Sequence, residues 1–346
     1  MMAMIFALQA LGIDIMLPAL EIIGDSYSLM EANDQQYVIF AFVLGFGFPQ
    51  LIFGPISDRY GRKILLQISL VGYFVTSFLC MVAPSFTMLL LFRLLQGVCC
   101  AGTRVSAGAI IRDLSAGRSM AKILSLVYTV FMIVPIIAPA VGQGVTMIAS
   151  WQWTFGILAI AALMMLVWGH FRLPETLPKN SRQPLNVRAV SGAFYSVLST
   201  RESLGYMAAS GVIFGALFAF IGASEQIFTD VFHQGELFPF WFAVIASVLA
   251  VGSMMNAGLV ERFGMRRISH GVLFAFLCLS VANLFVMTHF GEKLVWFVPL
   301  FALTFGCFGM MGANFSAIAM EPQGENAGTA SAIYGFSTTT FASFFG

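Results

Sequence analysis

The stretch GPISDRYGRK, residues 54–63, decides how the rest of the chain is interpreted. It separates two apolar runs, 35–53 and 64–83, neither of which contains a charged residue. Its two glycines allow a tight turn, because glycine adopts backbone conformations that other residues avoid. Its aspartate can form charge-assisted hydrogen bonds with its arginines. The stretch therefore predicts a short charged turn between two helices that cross a membrane.

The composition of the chain also indicates a membrane protein. Of the 346 residues, 59% are hydrophobic and only 10% are charged, and the mean hydropathy is +0.89. A soluble domain has roughly 25% charged residues, so these values exclude a soluble, disordered, collagen-like or coiled-coil protein. The net charge of +1 gives no argument for nucleic acid as a partner. All five cysteines lie in apolar runs, which favours packing over a disulfide framework or a metal site.

Apolar runs predict an all-α polytopic fold. A helix needs about 20 mostly apolar residues to cross the hydrocarbon layer. Eleven runs meet this requirement: 1–23, 35–53, 64–83, 86–111, 123–149, 151–171, 203–226, 237–260, 268–290, 294–320 and 327–346. The first run has no basic leader and is interpreted as a span, and the last runs to the end of the sequence, so a twelfth span is expected to be missing.

Basic residues predict the orientation of these spans. Fourteen of the 17 lysines and arginines lie in the connections that follow spans two, four, six and eight. The opposite connections instead collect acidic residues such as Glu21, Asp34 and Asp230. By the positive-inside rule, the basic connections and the N-terminus lie in the cytoplasm.

The chain divides into two halves that echo each other. A polar stretch at 172–202, predicted to be a cytoplasmic central loop, separates a six-helix bundle at 1–171 from a truncated second bundle at 203–346. The order acid, Arg, aromatic, Gly, any residue, basic occurs at 58–63 and recurs as ERFGMR at 261–266, after span eight. Two bundles related by internal repetition are typical of a carrier that works by alternating access, with its site between the halves.

Several motifs carry a resemblance to a known family. Residues 54–63 closely resemble the signature loop of the major facilitator superfamily, and RLLQG at 93–97 resembles its fourth-helix motif. APAVGQ at 138–143 resembles the antiporter motif of its proton-driven exporters, although Ala138 and Gln143 replace glycines. DIMLPA at 14–19, the WQW run from Trp151 and LPET at 173–176 resemble the bicyclomycin/chloramphenicol-resistance (Bcr/CflA) branch of drug:proton antiporters.

The resemblance implies a secondary transporter with two six-helix bundles. It implies export of amphipathic or lipophilic drugs in exchange for protons, across a bacterial inner membrane. The expected partners are a small-molecule substrate, membrane lipid and protons, in a monomer with no enzymatic activity, no cofactor and no nucleic acid. The chain contains no Gly-x4-Gly-Lys-Ser/Thr loop that would bind ATP. Two alternatives stay open: proton-coupled uptake of a small nutrient, and a non-transporting membrane sensor on the same fold.

Asp14 and Arg93 are the candidates for proton coupling. An ionised carboxylate in the middle of a span costs about 2.5–3.5 kcal/mol, so Asp14 is expected to be protonated or paired with a cation. Its alternative role is a structural hydrogen bond near Pro18. Arg93 and Arg104 are eleven residues apart and face the same way, toward the bundle interior or a wet cavity. The resemblance ties Arg93 to proton coupling, while the long stem of Arg104 could instead reach cytoplasmic water.

Three further groups of residues complete the candidate sites. The resemblance implies a cytoplasmic latch, although these charges could serve only to anchor the topology; its residues are Gly54, Asp58, Arg59, Gly61, Arg62 and Asp113. The antiporter-motif helix is expected to be bent and tightly packed at Pro135, Pro139 and Gly142. A possible substrate cavity contains Tyr37, Phe42, Arg104, Tyr128, Phe131 and Glu225, of which Glu225 could equally sit at the membrane interface.

Overall fold

All of the regular secondary structure in the described part of the chain is helical. The computed structural model describes residues 1–29, 34–178, 180, 182, 187–234, 237–323 and 327–345. In chain order the helices are α1 (Met2–Asp14), α2 (Leu20–Ser26), α3 (Tyr37–Gly47), α4 (Pro49–Tyr60), α5 (Arg62–Met81), α6 (Phe86–Leu114), α7 (Gly117–Ile148), α8 (Gln152–Arg172), α9 (Val187–Ser199), α10 (Arg201–Gln226), α11 (Phe238–Phe263), α12 (Met265–Phe290), α13 (Leu294–Met320) and α14 (Ala327–Phe345).

The helices confirm a polytopic all-α membrane protein. Among the described residues, eight helical segments are long and apolar enough to cross a membrane. Helices α7, α10 and α14 coincide with the other three predicted spans. The predicted bounds differ from the observed ones mainly where a helix continues past its apolar run into a polar end.

Spans one and two are each built from two helices. In span one, α1 ends at Asp14 and a 3-10 turn at Leu17–Ala19 leads into α2. Pro18 lies in that turn, where its missing N–H and fixed φ are compatible with a helix break. In span two, α4 begins at Pro49, the first helical position, where proline is well tolerated.

The predicted central loop contains a helix, α9, which sequence analysis missed. Its apolar residues recur at helical spacing, at Val187, Val190, Phe194 and Val197. Val197 is buried, whereas Tyr195 is exposed. This segment is therefore an amphipathic helix within the connection between spans six and seven.

The chain forms two compact units. The first unit comprises Met1–Leu114, Val134–Val197 and Gln323–Phe336, and the second comprises Ser115–Ile133, Leu198–Pro322 and Ser337–Gly346. Helix α7 contributes to both units, and so does α14.

The same glycine packing joins two helices in each unit. In the first unit, a Cβ at Gly45 of α3 would overlap the Leu94 carbonyl oxygen of α6, and a Cβ at Gly97 would overlap the Phe42 carbonyl oxygen.

In the second unit, Gly252 of α11 meets the Gly306 carbonyl oxygen of α13 in the same way, and Gly309 meets the Leu249 carbonyl oxygen. In both units the contact residues are three apart on each helix. This repeated packing supports the internal repetition that the 58–63 and 261–266 motifs indicate.

Candidate functional site

The turn between α4 and α5 carries a buried ion-pair network. Gly61 has φ +110°, a conformation that favours glycine, and it ends α4 immediately before Arg62 begins α5. Arg62 and Asp58 are both almost completely buried, and Nη1 of Arg62 lies 2.7 Å from Oδ1 of Asp58. Nε of Arg62 donates to Oδ2 of Asp113 at 3.1 Å. The structure thus brings together Asp58, Arg62 and Asp113, three of the six residues of the predicted latch.

The LPET motif completes this network, a role that sequence analysis missed. The Glu175 carboxylate accepts from the backbone N–H groups of Arg62 at 2.9 Å and Lys63 at 3.3 Å, so it caps the first turn of α5. Thr176 donates its hydroxyl to Oδ2 of Asp113 at 2.9 Å. The motif was visible in the sequence, but it served only to indicate a family branch. We call Asp58, Arg62, Asp113, Glu175 and Thr176 the loop network.

Asp58 also binds the N-terminal turn of α14. Its Oδ1 accepts from the Gly328 amide at 2.9 Å, and its Oδ2 accepts from the Thr329 amide at 2.9 Å and the Thr329 hydroxyl at 2.8 Å. The first N–H groups of a helix have no partner within the helix, and the helix macrodipole favours a negative charge there. A single carboxylate therefore serves both the Arg62 cation and a helix terminus.

The interpretation of Gly54 as a turn residue is wrong. Helix α4 continues to Tyr60, so Gly54 lies within the helix. A Cβ at this position would lie 2.6 Å from the Cβ of Ala332 on α14. Gly54 therefore permits α4 and α14 to approach closely. Arg59 is exposed and makes no hydrogen bond or ion pair within the part of the chain that the structure describes.

Arg93 is fully buried and bonded to uncharged acceptors. Its Nε donates to the Val38 carbonyl at 2.9 Å, its Nη1 to the Gln96 side chain at 2.6 Å, and its Nη2 to the Gly12 carbonyl at 3.1 Å. The guanidinium lies 4.5 Å from the centroid of the Phe42 ring. Phe42, a candidate for the substrate cavity, is itself fully buried.

Asp14 lies at the break in span one. It is the last residue of α1 and is partly buried, and it has no hydrogen bond or ion pair among the described residues. Its link to Arg93 is indirect, through the carbonyl of Gly12 two residues earlier. A Cβ at Gly142 would overlap the carbonyl oxygen of Ile15, the residue that follows Asp14. The structure thus gathers Asp14, Arg93 and Gly142 around one helix break, although it forms no ion pair between the first two.

The remaining candidates are divided between the two units. Tyr37 is more than half exposed, and Phe131 is partly buried, as is Pro139 of the antiporter-motif helix. Tyr128 is buried and packs edge-on against Phe214 in the second unit. Arg104 of α6 stacks on Phe6 of α1 in the first unit, with its guanidinium carbon 3.9 Å from the ring centroid.

The side chains of Pro135 and Glu225 lie outside the described residues. Within the described ranges, no group of three or more His, Cys, Asp or Glu side chains could hold a metal ion.

Comparison with known proteins gives one family and several relatives. The sequence model of the Major Facilitator Superfamily matches residues 2–346. The chain is 28% identical to a bicyclomycin resistance protein homolog of Haemophilus influenzae, over 95% of this chain and 82% of that protein. It is 30% identical to the multidrug resistance protein MdtL of Salmonella heidelberg, over 82% of this chain and 72% of that protein.

A solved structure shares the fold. The N162A variant of the E. coli fucose:proton symporter FucP superimposes with a TM-score of 0.75 at 14% sequence identity, covering 99% of this chain and 88% of that one. At this identity the likeness shows the architecture of the chain and carries no information on its substrate.

Proposed function

The chain belongs to the Major Facilitator Superfamily, and from this premise we propose that it exports amphipathic or lipophilic drugs in exchange for protons by alternating access. Two relatives support this assignment, since they are named for resistance to bicyclomycin and to multiple drugs. The observation that carries the proposal is the convergence of Asp14, Arg93 and Gly142 on the break in span one.

In the proposed cycle Asp14 binds and releases the coupling proton. A carboxylate at the last residue of a helix interacts unfavourably with the helix macrodipole, and its position within a span adds a desolvation penalty. Both effects make the protonation of Asp14 sensitive to any group that approaches the break. Arg93 acts as a positioning residue, because it holds the backbone at Gly12 and does not bind the carboxylate directly.

The loop network serves as the cytoplasmic latch in this proposal. Asp58 can satisfy the N-terminus of α14 only while that helix end lies against α4. Because interactions that form in one state and break in the other bias a two-state equilibrium, the Asp58 contacts are suited to hold one state of the carrier.

Further features belong to the same proposal. The protein would act as a monomer in the bacterial inner membrane with its N-terminus in the cytoplasm. It would use the proton as its coupling ion without a cofactor, and catalyse no chemical reaction. Its partners would be a small-molecule substrate, membrane lipid and protons, and nucleic acid would play no part.

Proton-coupled uptake is the competing transport function, and a sensor without turnover is the other alternative. The motif around Pro139 argues for export, although the replacement of two of its glycines by Ala138 and Gln143 leaves room for uptake. However, Gly142 is present, and it makes the backbone contact at the break.

Everted vesicles that contain the full chain distinguish these functions. The vesicles are energised to be acid inside, a fluorescent amine reports the pH gradient, and a panel of bicyclomycin, chloramphenicol and lipophilic dyes is added outside. An exporter of this type lets protons out as a compound enters, so at least one compound should collapse part of the gradient. A panel with no effect on the gradient, despite confirmed expression, would contradict the proposal.

A further inference from the structure

Arg93 and Arg104 both lie in α6, but their guanidinium groups have different surroundings. Each nitrogen of the Arg93 guanidinium donates to a protein acceptor, and the residue is fully buried. Arg104 is partly exposed, and in the described ranges it makes no hydrogen bond and no ion pair. Arg104 lies ten residues before the end of α6, which is roughly 15 Å along the helix axis. Arg104 is therefore a cation deep in a span whose donor groups are available.

The contact with Phe6 fixes how those donors can be used. The guanidinium carbon lies 3.9 Å from the centroid of the Phe6 ring, and Phe6 is almost completely buried. A cation–π contact occupies one face of the planar group and leaves the N–H donors at its edge. A planar edge of this kind matches a carboxylate or phosphate, which it can bind through two parallel hydrogen bonds.

The aromatic contact also argues against the alternative of a side chain that reaches cytoplasmic water. A guanidinium stacked on a buried ring of the neighbouring helix is held beside α1, so its stem does not extend freely along α6. Exposure to lipid would be expensive for an unpaired arginine, which leaves a polar occupant as the physical explanation for its open edge.

We infer that Arg104 and Phe6 form a binding site for the anionic group of the transported compound. The inference rests on the proposed transport function and narrows its substrate class to amphipathic organic anions and zwitterions. The anion binds edge-on to Arg104 and the apolar body of the compound lies along the adjoining apolar side chains. The site lies within the first unit.

The test compares an acid with its neutral ester. Dansyl-phenylalanine and its methyl ester differ by one charge and one methyl group, and dansyl fluorescence reports the binding of each to the purified full chain in detergent. The wild-type protein should bind the acid about tenfold more tightly than the ester, as expected for one charge-assisted pair. Arg104→Gln should abolish this preference while leaving the affinity for the ester unchanged.

Three variants make the result specific. Arg104→Lys should keep part of the preference, because a lysine is a point charge without the planar edge. Phe6→Leu should reduce the preference without removing it, since the cation stays and only its orientation is lost. Arg172→Gln removes an exposed arginine at the end of α8 and should leave both affinities as in the wild type.

The outcomes also separate this inference from the proposed function. A wild-type protein without preference for the acid would overturn the inference, and so would an Arg104→Gln variant that loses acid and ester equally. Should Arg104→Gln fail to fold, the Arg104→Lys and Phe6→Leu variants decide by the same comparison. If the vesicles exchange protons but the purified protein does not prefer the acid, the transport function stands and the inference fails. If the protein prefers the acid but the vesicles do not exchange protons, the binding site stands and the transport function fails.

Discussion

At the scale of single residues, the proposed mechanism gives Asp14 and Arg93 separate tasks that one ion pair could have performed. A direct pair would hold the carboxylate ionised and oppose its protonation, since an adjacent cation favours the charged form. In the structure Arg93 is instead bonded to the Gly12 carbonyl and Asp14 has no partner among the described residues. This separation leaves the carboxyl group able to exchange a proton while the cation fixes the backbone beside it.

Replacing Asp14 by Asn tests this division. The amide keeps the shape of the carboxyl group and cannot titrate, so we expect compound-driven proton release from vesicles to fall to background. Binding of the same compound to purified protein should change by less than about tenfold, because the backbone contacts of Gly12 and Ile15 are retained.

The matched control for this variant is Glu21→Gln in α2. Glu21 is an exposed carboxylate seven residues further along the same span. The Glu21→Gln variant should retain proton exchange. Unchanged exchange in Asp14→Asn would remove this residue from the coupling mechanism.

At the scale of helices, the break in span one is the element around which the candidate coupling residues gather. Helix α7 contacts this break at Gly142. Any side chain at that position would collide with the carbonyl oxygen of Ile15. Pro18 lies 3.4 Å from the same Cβ position. The 138–143 motif therefore meets the break through a close approach of two backbones.

Gly142→Ala should force α7 away from this break. Inserting a methyl group into such a contact destabilises a protein by about 1–3 kcal/mol, which outweighs the gain of up to about 1 kcal/mol from replacing glycine by alanine in a helix. We expect a lower thermal unfolding temperature in detergent and a faster passive proton leak in vesicles.

Gly144→Ala is the control, since no atom lies within 4 Å of a Cβ at that position. It lies two residues further along the same helix and should be as stable as the wild type or slightly more so. If both substitutions had equal effects on unfolding temperature and proton leak, the cause would be a change within α7 and not the contact with Ile15.

The spans and motifs were predictable from the sequence because they depend on local patterns. Apolar length indicated the spans, and the spacing of Asp58, Gly61 and Arg62 indicated a charged junction between two helices. The partners of these residues were not predictable, because they come from distant parts of the chain. Glu175 caps α5 across more than a hundred residues, and Gly54 packs against α14. Composition alone also hid α9, because its apolar face is diluted by a polar surrounding stretch.

At the scale of the whole molecule, the repeated motif has diverged between the two units. The first unit buries Asp58 and Arg62 within the loop network. In the second unit, Glu261 pairs with Lys122 at 3.0 Å, with both side chains about half exposed. Arg266 pairs with Glu202, and these side chains are also accessible. The glycine packing of the helices is the same in both units, so the repeat is retained in the scaffold and has changed in its charges.

This divergence predicts different responses to the same chemical change. Asp58→Asn leaves the buried Arg62 without its closest anion and weakens the cap on α14, and breaking a buried pair in this way costs about 3–5 kcal/mol. Glu261→Gln removes an exposed pair, which is worth at most about 1 kcal/mol and is screened by salt. Thermal unfolding in detergent, at low and high salt, measures both effects. A large and salt-independent loss for Glu261→Gln, or a negligible one for Asp58→Asn, would contradict the view that only the first copy of the motif acts as a latch.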